Sequence, residues 1–229
     1  MQKQKITPTT YLVLQNTYDC IEVALYKDLE ILEKKVVDKF SASKNLIPEI
    51  DSILKRNNLT IENLSFIGVN EGPGPFTTLR IVISTANALN YATNIPLIGI
   101  NGLDAIIKEY QNVTWPVTAV LLNAFNKDVY YAIQYNEKIE IGWKNIDEFL
   151  LYLKDKFKES KIRFIGNGVN LYKDNIQKIF TQNILLEENI SQPSIEQIAK
   201  MVYQKWIESK EITNQILPLY LKEAIKINK

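Results

Sequence analysis

The sequence predicts an α/β protein built twice on one plan: three strands in succession, then helix, strand, helix. Three observations carry this. Short strands with alternating apolar residues and closely spaced turns open each half, which implies antiparallel meanders. Near-continuous apolar strands follow, each leading through a turn into a helix, the pattern of parallel strands buried on both faces. The order of elements in the first half then recurs in the second.

The first half runs as follows. "YLVLQNTYDCIEVALYKD" gives two strands, with Tyr11–Leu14 apolar and Ile21, Val23 and Leu25 alternating beyond the turn. "LEILEKKVVDKF" continues as a third strand. "SASKNLIPEIDSILKRNN" is an amphipathic helix with Leu46, Ile47, Ile50, Ile53 and Leu54 on one face. Pro48 is expected in its first turn, and Asn57 and Asn58 at its end. "LSFIGVNEG" is a buried strand, "TTLRIVISTANALNYAT" a helix, "PLIGIN" a strand and "LDAIIKEYQ" a helix.

The second half begins near Trp115. "PVTAVLLNAF", "DVYYAIQY" and "KIEIGWK" are strands, and "NIDEFLLYLKDKFK" is a helix with Ile146, Phe149, Leu150 and Leu153 inward. "IRFIGNG" is a strand and "VNLYKDNIQKIF" a helix. "SIEQIAKMVYQKWIESK" is a helix capped by Ser191 or Ser194, and "ILPLYL" a short last strand. A meander followed by α/β crossovers is the ribonuclease H-like core. Two such lobes, expected at 11–112 and 113–229 after a tail at 1–10, make the actin/Hsp70/sugar-kinase-like (ASKHA) fold.

Composition narrows the chemistry. The chain has 229 residues, 46% hydrophobic and 23% charged, ordinary for a globular protein with a sizeable core. A net charge of +1 gives no overall bias toward nucleic acid. The sequence has no histidine and a single cysteine, Cys20. Ser-His-Asp and Cys-His catalysis, His-ligated zinc and thiolate zinc sites are therefore excluded. No intrachain disulfide can form, and neither a signal peptide nor a membrane span is expected, so the chain reads as cytoplasmic.

"NEGPGPFTTLRI" lies between an apolar strand and an apolar helix, where anions bind helix N-termini. It matches neither GxxxxGK[ST] nor GxGxxG, and it lacks the P-loop lysine. Pro73 and Pro75 remove two backbone donors. Gly72, Pro73, Gly74 and Pro75 therefore read as a stiff structural turn. In the helix behind it, Leu79, Val82, Ile83, Ala86 and Leu89 form one stripe. Ile81, Ser84, Thr85, Ala88 and Ala92 form a second, mostly small one. Asp104 is the only charge between Ile81 and Ile107. Such a helix needs cover on two sides, supplied by the rest of the chain or by a partner. Enzymes of this fold carry Asp directly after the first strand of a lobe. Here Gln15 and Asn123 stand at those turns, amides that cannot balance a Mg²⁺ ion. The Lys/Asn-rich ends, "MQKQK" and "KEAIKINK", read as solvated tails.

"GVNEGPGPFTTLRIVISTANAL", with "YLVLQNTYDCIEVAL" before it and "PLIGINGLDAI" after it, resembles the TsaB family of bacterial tRNA threonylcarbamoyladenosine biosynthesis proteins. Gly72, Pro73, Gly74, Phe76, Thr77, Leu79, Arg80 and Ile81 fit the family motif G-x-G-P-G-S-F-T-G-L-R-I-G. "NAFNKDVYYA" echoes D-A-R-x-x-E-V-Y, Gly166 and Gly168 match a late G-x-G, and "LPLYLK" echoes a terminal P-x-Y-L-R with Lys222 for Arg. The resemblance spans about residues 11–222. Departures are Pro75 for Ser, Thr78 and Val82 for Gly, Gln15 for the Asp of D-T-S, and Asn123 and Phe125 for the Asp and Arg of D-A-R. Ala42 stands where the family often has His.

The resemblance implies a subunit without catalytic residues, metal or cofactor of its own. It implies pairing with TsaD, joined by the ATPase TsaE, in transfer of the threonylcarbamoyl group from threonylcarbamoyl-AMP to N6 of adenosine 37 of tRNA. It also implies self-association as a homodimer through the same N-terminal helices. The expected partner surface is Phe76, Thr77, Arg80, Ile81, Ser84, Thr85 and Ala88, with Leu46 and Ile50 of the neighbouring helix. Arg80 is expected to anchor a carboxylate or cap the loop's carbonyls. Two alternatives stand beside this reading: a divergent nucleotide-dependent kinase of the same fold, and a stand-alone homodimeric structural protein.

Overall fold

The computed structural model describes residues 8–187 and 190–222. The expected tail before residue 8 and the lysine-rich end beyond Lys222 lie outside the described residues. The order is β1 (Thr10–Asn16), β2 (Cys20–Lys27), β3 (Glu30–Asp38), α1 (Ala42–Arg56), β4 (Phe66–Asn70), α2 (Phe76–Thr93), β5 (Leu97–Ile100) and α3 (Gly102–Glu109). It continues β6 (Val117–Asn123), β7 (Asp128–Tyr135), β8 (Lys138–Asn145), α4 (Ile146–Phe157), β9 (Ile162–Ile165), α5 (Asn167–Leu171), α6 (Lys173–Ile179), β10 (Ile184–Glu187), α7 (Ile195–Ile207) and β11 (Ile212–Thr213).

Two compact units divide the described chain. One lies within Met1–Asn101 and Ser194–Pro218, the other within Gly102–Pro193 and from Leu219 on. This differs from the chain-order boundary at 112/113. The apolar faces of the helices decide it: α7 packs on β1, β4 and β5, and α3 on β6 and β7.

The first unit holds a sheet in the order β11-β5-β4-β1-β2-β3. β1, β2 and β3 pair antiparallel, while β1, β4 and β5 run parallel. This is the predicted meander plus crossovers. Leu12, Leu14, Val23, Val69, Leu79, Val82, Ile53 and their neighbours form one buried core between the sheet and α1/α2. On the opposite face Tyr11 stacks with Phe66 and Tyr203, and Phe66 meets Trp206 of α7.

The second unit holds a sheet in the order β10-β9-β6-β7-β8. Its core gathers Val117, Leu121, Tyr131, Phe149, Leu153 and Phe164 under α4 and α6. Asn145 caps α4 by accepting from Asp147 N at 3.1 Å, and Ser194, not Ser191, caps α7 by accepting from Gln197 N at 3.0 Å.

Four local expectations change. Pro48 lies inside α1 and not in its first turn, because the helix already begins at Ala42. It is tolerated on the exposed face, where water can satisfy the carbonyl that loses its donor. "VNLYKDNIQKIF" forms two short helices, α5 and α6, broken at Tyr172. β10 is an additional strand, parallel to β9. "ILPLYL" is not a strand: the ladder ends at β11, which pairs antiparallel with β5. Beyond it the Asn87 side chain clasps Ile216, accepting from its N and donating to its O, both at 2.9 Å. One amide thus does for this segment what a neighbouring strand would have done, and Pro218 has no N–H to extend a ladder.

Candidate partner-binding face

The loop before α2 is fixed from below by amides. Gln15 at the end of β1 is fully buried. Its Nε2 donates to Glu22 Oε2 at 3.0 Å, and its Oε1 accepts from Asn70 Nδ2 at 3.1 Å. Asn70 Oδ1 in turn accepts from Gly72 N at 3.0 Å. The side chain at the first turn is thereby committed to holding β1, β2 and β4 together. A carboxylate in its place would face Glu22 without the N–H that now donates to it.

Both loop glycines answer to geometry. Gly72 has φ +101, and a Cβ there would sit 3.0 Å from Leu79 Cδ2. A Cβ on Gly74 would sit 2.5 Å from Asn16 Nδ2. The Gly72–Pro73 peptide is cis. Asn16 is 3% exposed, and neither of its amide atoms has a partner among the described residues. Pro75 is the N-cap and contributes its carbonyl, which accepts from Leu79 N at 3.0 Å and Thr78 Oγ1 at 3.1 Å. The loop runs from β4 directly into the first turn of α2. Beside it, burial raises the carboxyl pKa of Glu71, with Lys205 opposing and Glu211 reinforcing the shift.

α2 has two faces within its own unit. Thr78, Leu79, Val82, Ile83, Thr85, Ala86 and Asn90 are buried. Phe76, Thr77, Arg80, Ser84, Ala88, Tyr91 and Ala92 are exposed, with Ile81 half-buried. The spacing of this second set follows one helical stripe over four turns. The Arg80 guanidinium lies over the Phe76 ring at 3.6 Å, a cation–π contact that folds the charge onto the helix start. Ser84 Oγ donates back to Arg80 O at 2.7 Å, which satisfies the hydroxyl and leaves a small, quiet surface.

Three expected surface residues are placed elsewhere. Leu46 and Ile50, at 1% and 2% exposure, belong to the core beneath α1, because they share the inward stripe with Ile53. Thr85 is buried by the same sheet-facing side of α2. The outward apolar residue of α1 is Ile47, which the sequence reading had grouped with the inward set. Tyr91, 90% exposed, lies on the α2 stripe and was not among the candidates. Its spacing of seven from Ser84 was the signal.

In the second unit Asn123 Oδ1 accepts from Phe125 N at 2.8 Å, and Asn123 N donates to Asn167 Oδ1 at 2.9 Å. This amide too is a turn-former. Lys222 Nζ lies 2.7 Å from Asp128 Oδ2 and donates to Ala124 O at 3.3 Å. "NAFNKDVYY" and "LPLYLK" thus meet in space. Among the described residues, no group of three or more His, Cys, Asp or Glu is placed to hold a metal ion. No described helix is long and apolar enough to cross a membrane.

The family model described as "TsaD: tRNA N6-adenosine threonylcarbamoyltransferase" matches residues 41–224. The chain is 29% identical over 175 residues to a tRNA threonylcarbamoyladenosine biosynthesis protein TsaB of Buchnera aphidicola subsp. Acyrthosiphon pisum, covering 76% of this chain and 78% of that one. The TsaB of Haemophilus influenzae is 21% identical over 233 residues, covering 94% of each. YeaZ from Pseudomonas aeruginosa superposes with a TM-score of 0.71 at 19% identity, covering 93% of this chain and all of that one. A Bacteroides thetaiotaomicron protein with an actin-like ATPase fold superposes with a TM-score of 0.53 at 10% identity, over 88% and 99% of the two chains. The fold is therefore actin-like, as the repeated element order predicts. The chain belongs to the TsaD family of tRNA N6-adenosine threonylcarbamoyltransferases and is a TsaB-like member of it.

Proposed function

We propose that this chain is a non-catalytic scaffold subunit of the machinery that makes N6-threonylcarbamoyladenosine at position 37 of tRNA, and that it binds and supports a TsaD-type subunit. A TsaE-type ATPase joins the pair, and tRNA is met through the complex. A homodimer through the same face competes with the TsaD-type partner. The setting is the cytoplasm.

One observation carries the reading: the exposed stripe of α2, from Thr77 to Ala92, is uncharged apart from Arg80 and small through Ser84 and Ala88, with Tyr91 at its far end. A partner helix can approach such a stripe closely. Arg80, held over Phe76, offers a bidentate contact to a carboxylate at its edge. The amides Gln15, buried, and Asn123, half-buried, support the absence of phosphoryl-transfer chemistry, since metal-bound phosphate requires carboxylates at those turns. The relatives named TsaB support the pathway.

The test is a pull-down of the TsaD-type subunit from the same genome by this chain. Stable co-purification supports the scaffold. Failure to bind, together with Mg·ATP turnover by the isolated chain, would favour the kinase reading.

A further inference from the structure

The second unit contains a cavity of about 350 Å³, away from every residue used above. It lies where the chain passes from α3 into β6, and Gln111, Asn112, Trp115, Thr118, Gln134 and Asn136 line it. The floor is a rung of the sheet: Thr118 of β6 faces Gln134 of β7 directly, and Arg163 of β9 flanks Thr118 on the other side.

The walls are held in place by buried contacts. Arg163, 5% exposed, donates from Nη1 to Tyr110 O at 2.5 Å and from Nε to Glu187 Oε2 at 2.7 Å. This pins the start of the connecting loop and neutralises the nearest charge. Asn112 Oδ1 then accepts from Thr114 N at 2.9 Å and from Thr114 Oγ1 at 2.6 Å, which fixes a local turn in the loop.

The lining sets neutral, polar side chains beside Trp115, Val113 and Pro116. It has no ionised side chain, so it offers nothing to balance a charged ligand. It presents four carboxamides, three of them outside the Asn112–Thr114 turn with a donor and an acceptor side by side, and one flat indole. Carboxamides pair bidentately with a heterocycle edge that sets a donor beside an acceptor, as adenine does. An indole supplies the stacking face that such rings use. The volume lies at the small end of ligand sites, enough for a base with its sugar and phosphates left outside. We infer that this cavity binds a single nucleobase, adenine by preference, stacked on Trp115 and read by Gln134 and its neighbouring carboxamides. The base belongs either to a free nucleoside or to an unpaired position in an RNA strand. The site does not depend on the partner face of α2 and stands if that assignment fails.

The experiment is isothermal titration of the full chain with adenosine, with inosine, with a single-stranded adenylate trinucleotide and with glucose. Adenosine is expected to bind and inosine, which lacks the amino donor, to bind at least tenfold more weakly. Gln134→Leu and Trp115→Ala are each expected to weaken adenosine at least tenfold with unchanged thermal midpoints. Gln134→Leu decides the matter should Trp115→Ala fail to fold. Tighter binding of the trinucleotide identifies an RNA base, and equal binding identifies the free nucleoside; both support the site. No saturation by adenosine or trinucleotide at millimolar concentration overturns it. So does glucose binding as tightly as adenosine, or native affinity in the Gln134→Leu chain.

Discussion

Asn70 Nδ2 donates to Gln15 Oε1 at 3.1 Å, in the buried layer between β1 and β4. Because Gln15 also donates to Glu22, one neutral side chain ties three strands together where an enzyme of this fold would carry a carboxylate. Gln15→Asp should therefore cost about 3 kcal/mol, since it buries an anion beside Glu22 and removes the N–H that Glu22 now accepts from. It should also give no Mg·ATP turnover. Denaturant unfolding and an ATPase assay check the two halves of this expectation.

Gly72 stands at φ +101 with Leu79 at the edge of contact. Gly72→Ala should destabilise the fold by about 1–3 kcal/mol through backbone strain. Chemical denaturation measures it. Pro75→Ala, on an unstrained N-cap, is the comparison and should cost less than about 1 kcal/mol.

Glu71 is the pH-dependent group of the loop. Burial raises its folded-state pKa, so the folded chain holds this proton more tightly than the unfolded chain does. The favourable contribution is complete below the ordinary carboxyl pKa and is lost as pH rises through the raised one. Glu71→Gln should therefore raise the melting temperature at pH 7, and the gain should vanish below about pH 4. Paired thermal melts at the two pH values decide it. A gain that is the same at both would place the effect outside this carboxyl.

Lys222 and Asp128 form a mostly buried pair, with side chains 18% and 14% exposed. Asp128→Asn should cost about 1–3 kcal/mol because the ammonium loses its charged partner. Adding Lys222→Met should recover part of that loss. An additive double variant would mean that the two side chains do not act as a pair.

The strand meanders, the parallel strands and the main helices were legible because each follows a single periodicity over many residues. Chain order did not reveal that α3 packs on the second sheet and α7 on the first, since an apolar face does not name its sheet. Pro48 misled because its position was read as the start of a helix that begins six residues earlier. On α2 the two stripes were legible from spacing, but Thr85 lies near their boundary and was assigned outward. Leu46 and Ile50 were chosen as neighbours of the face, although their own spacing with Ile53 already pointed inward. Tyr91 was missed because a large aromatic at the end of a helix looks like core until its 90% exposure is seen.

The exposed stripe of α2 is the centre of the account, and Ser84 lies in its middle. The most direct measurement is the affinity of the Ser84→Arg chain for the TsaD-type subunit by isothermal titration, beside native chain with the same melting temperature. Loss of affinity by at least a hundredfold, with Lys55→Ala on the outer side of α1 unchanged, is the predicted result. Native affinity in Ser84→Arg would contradict the assignment of this face.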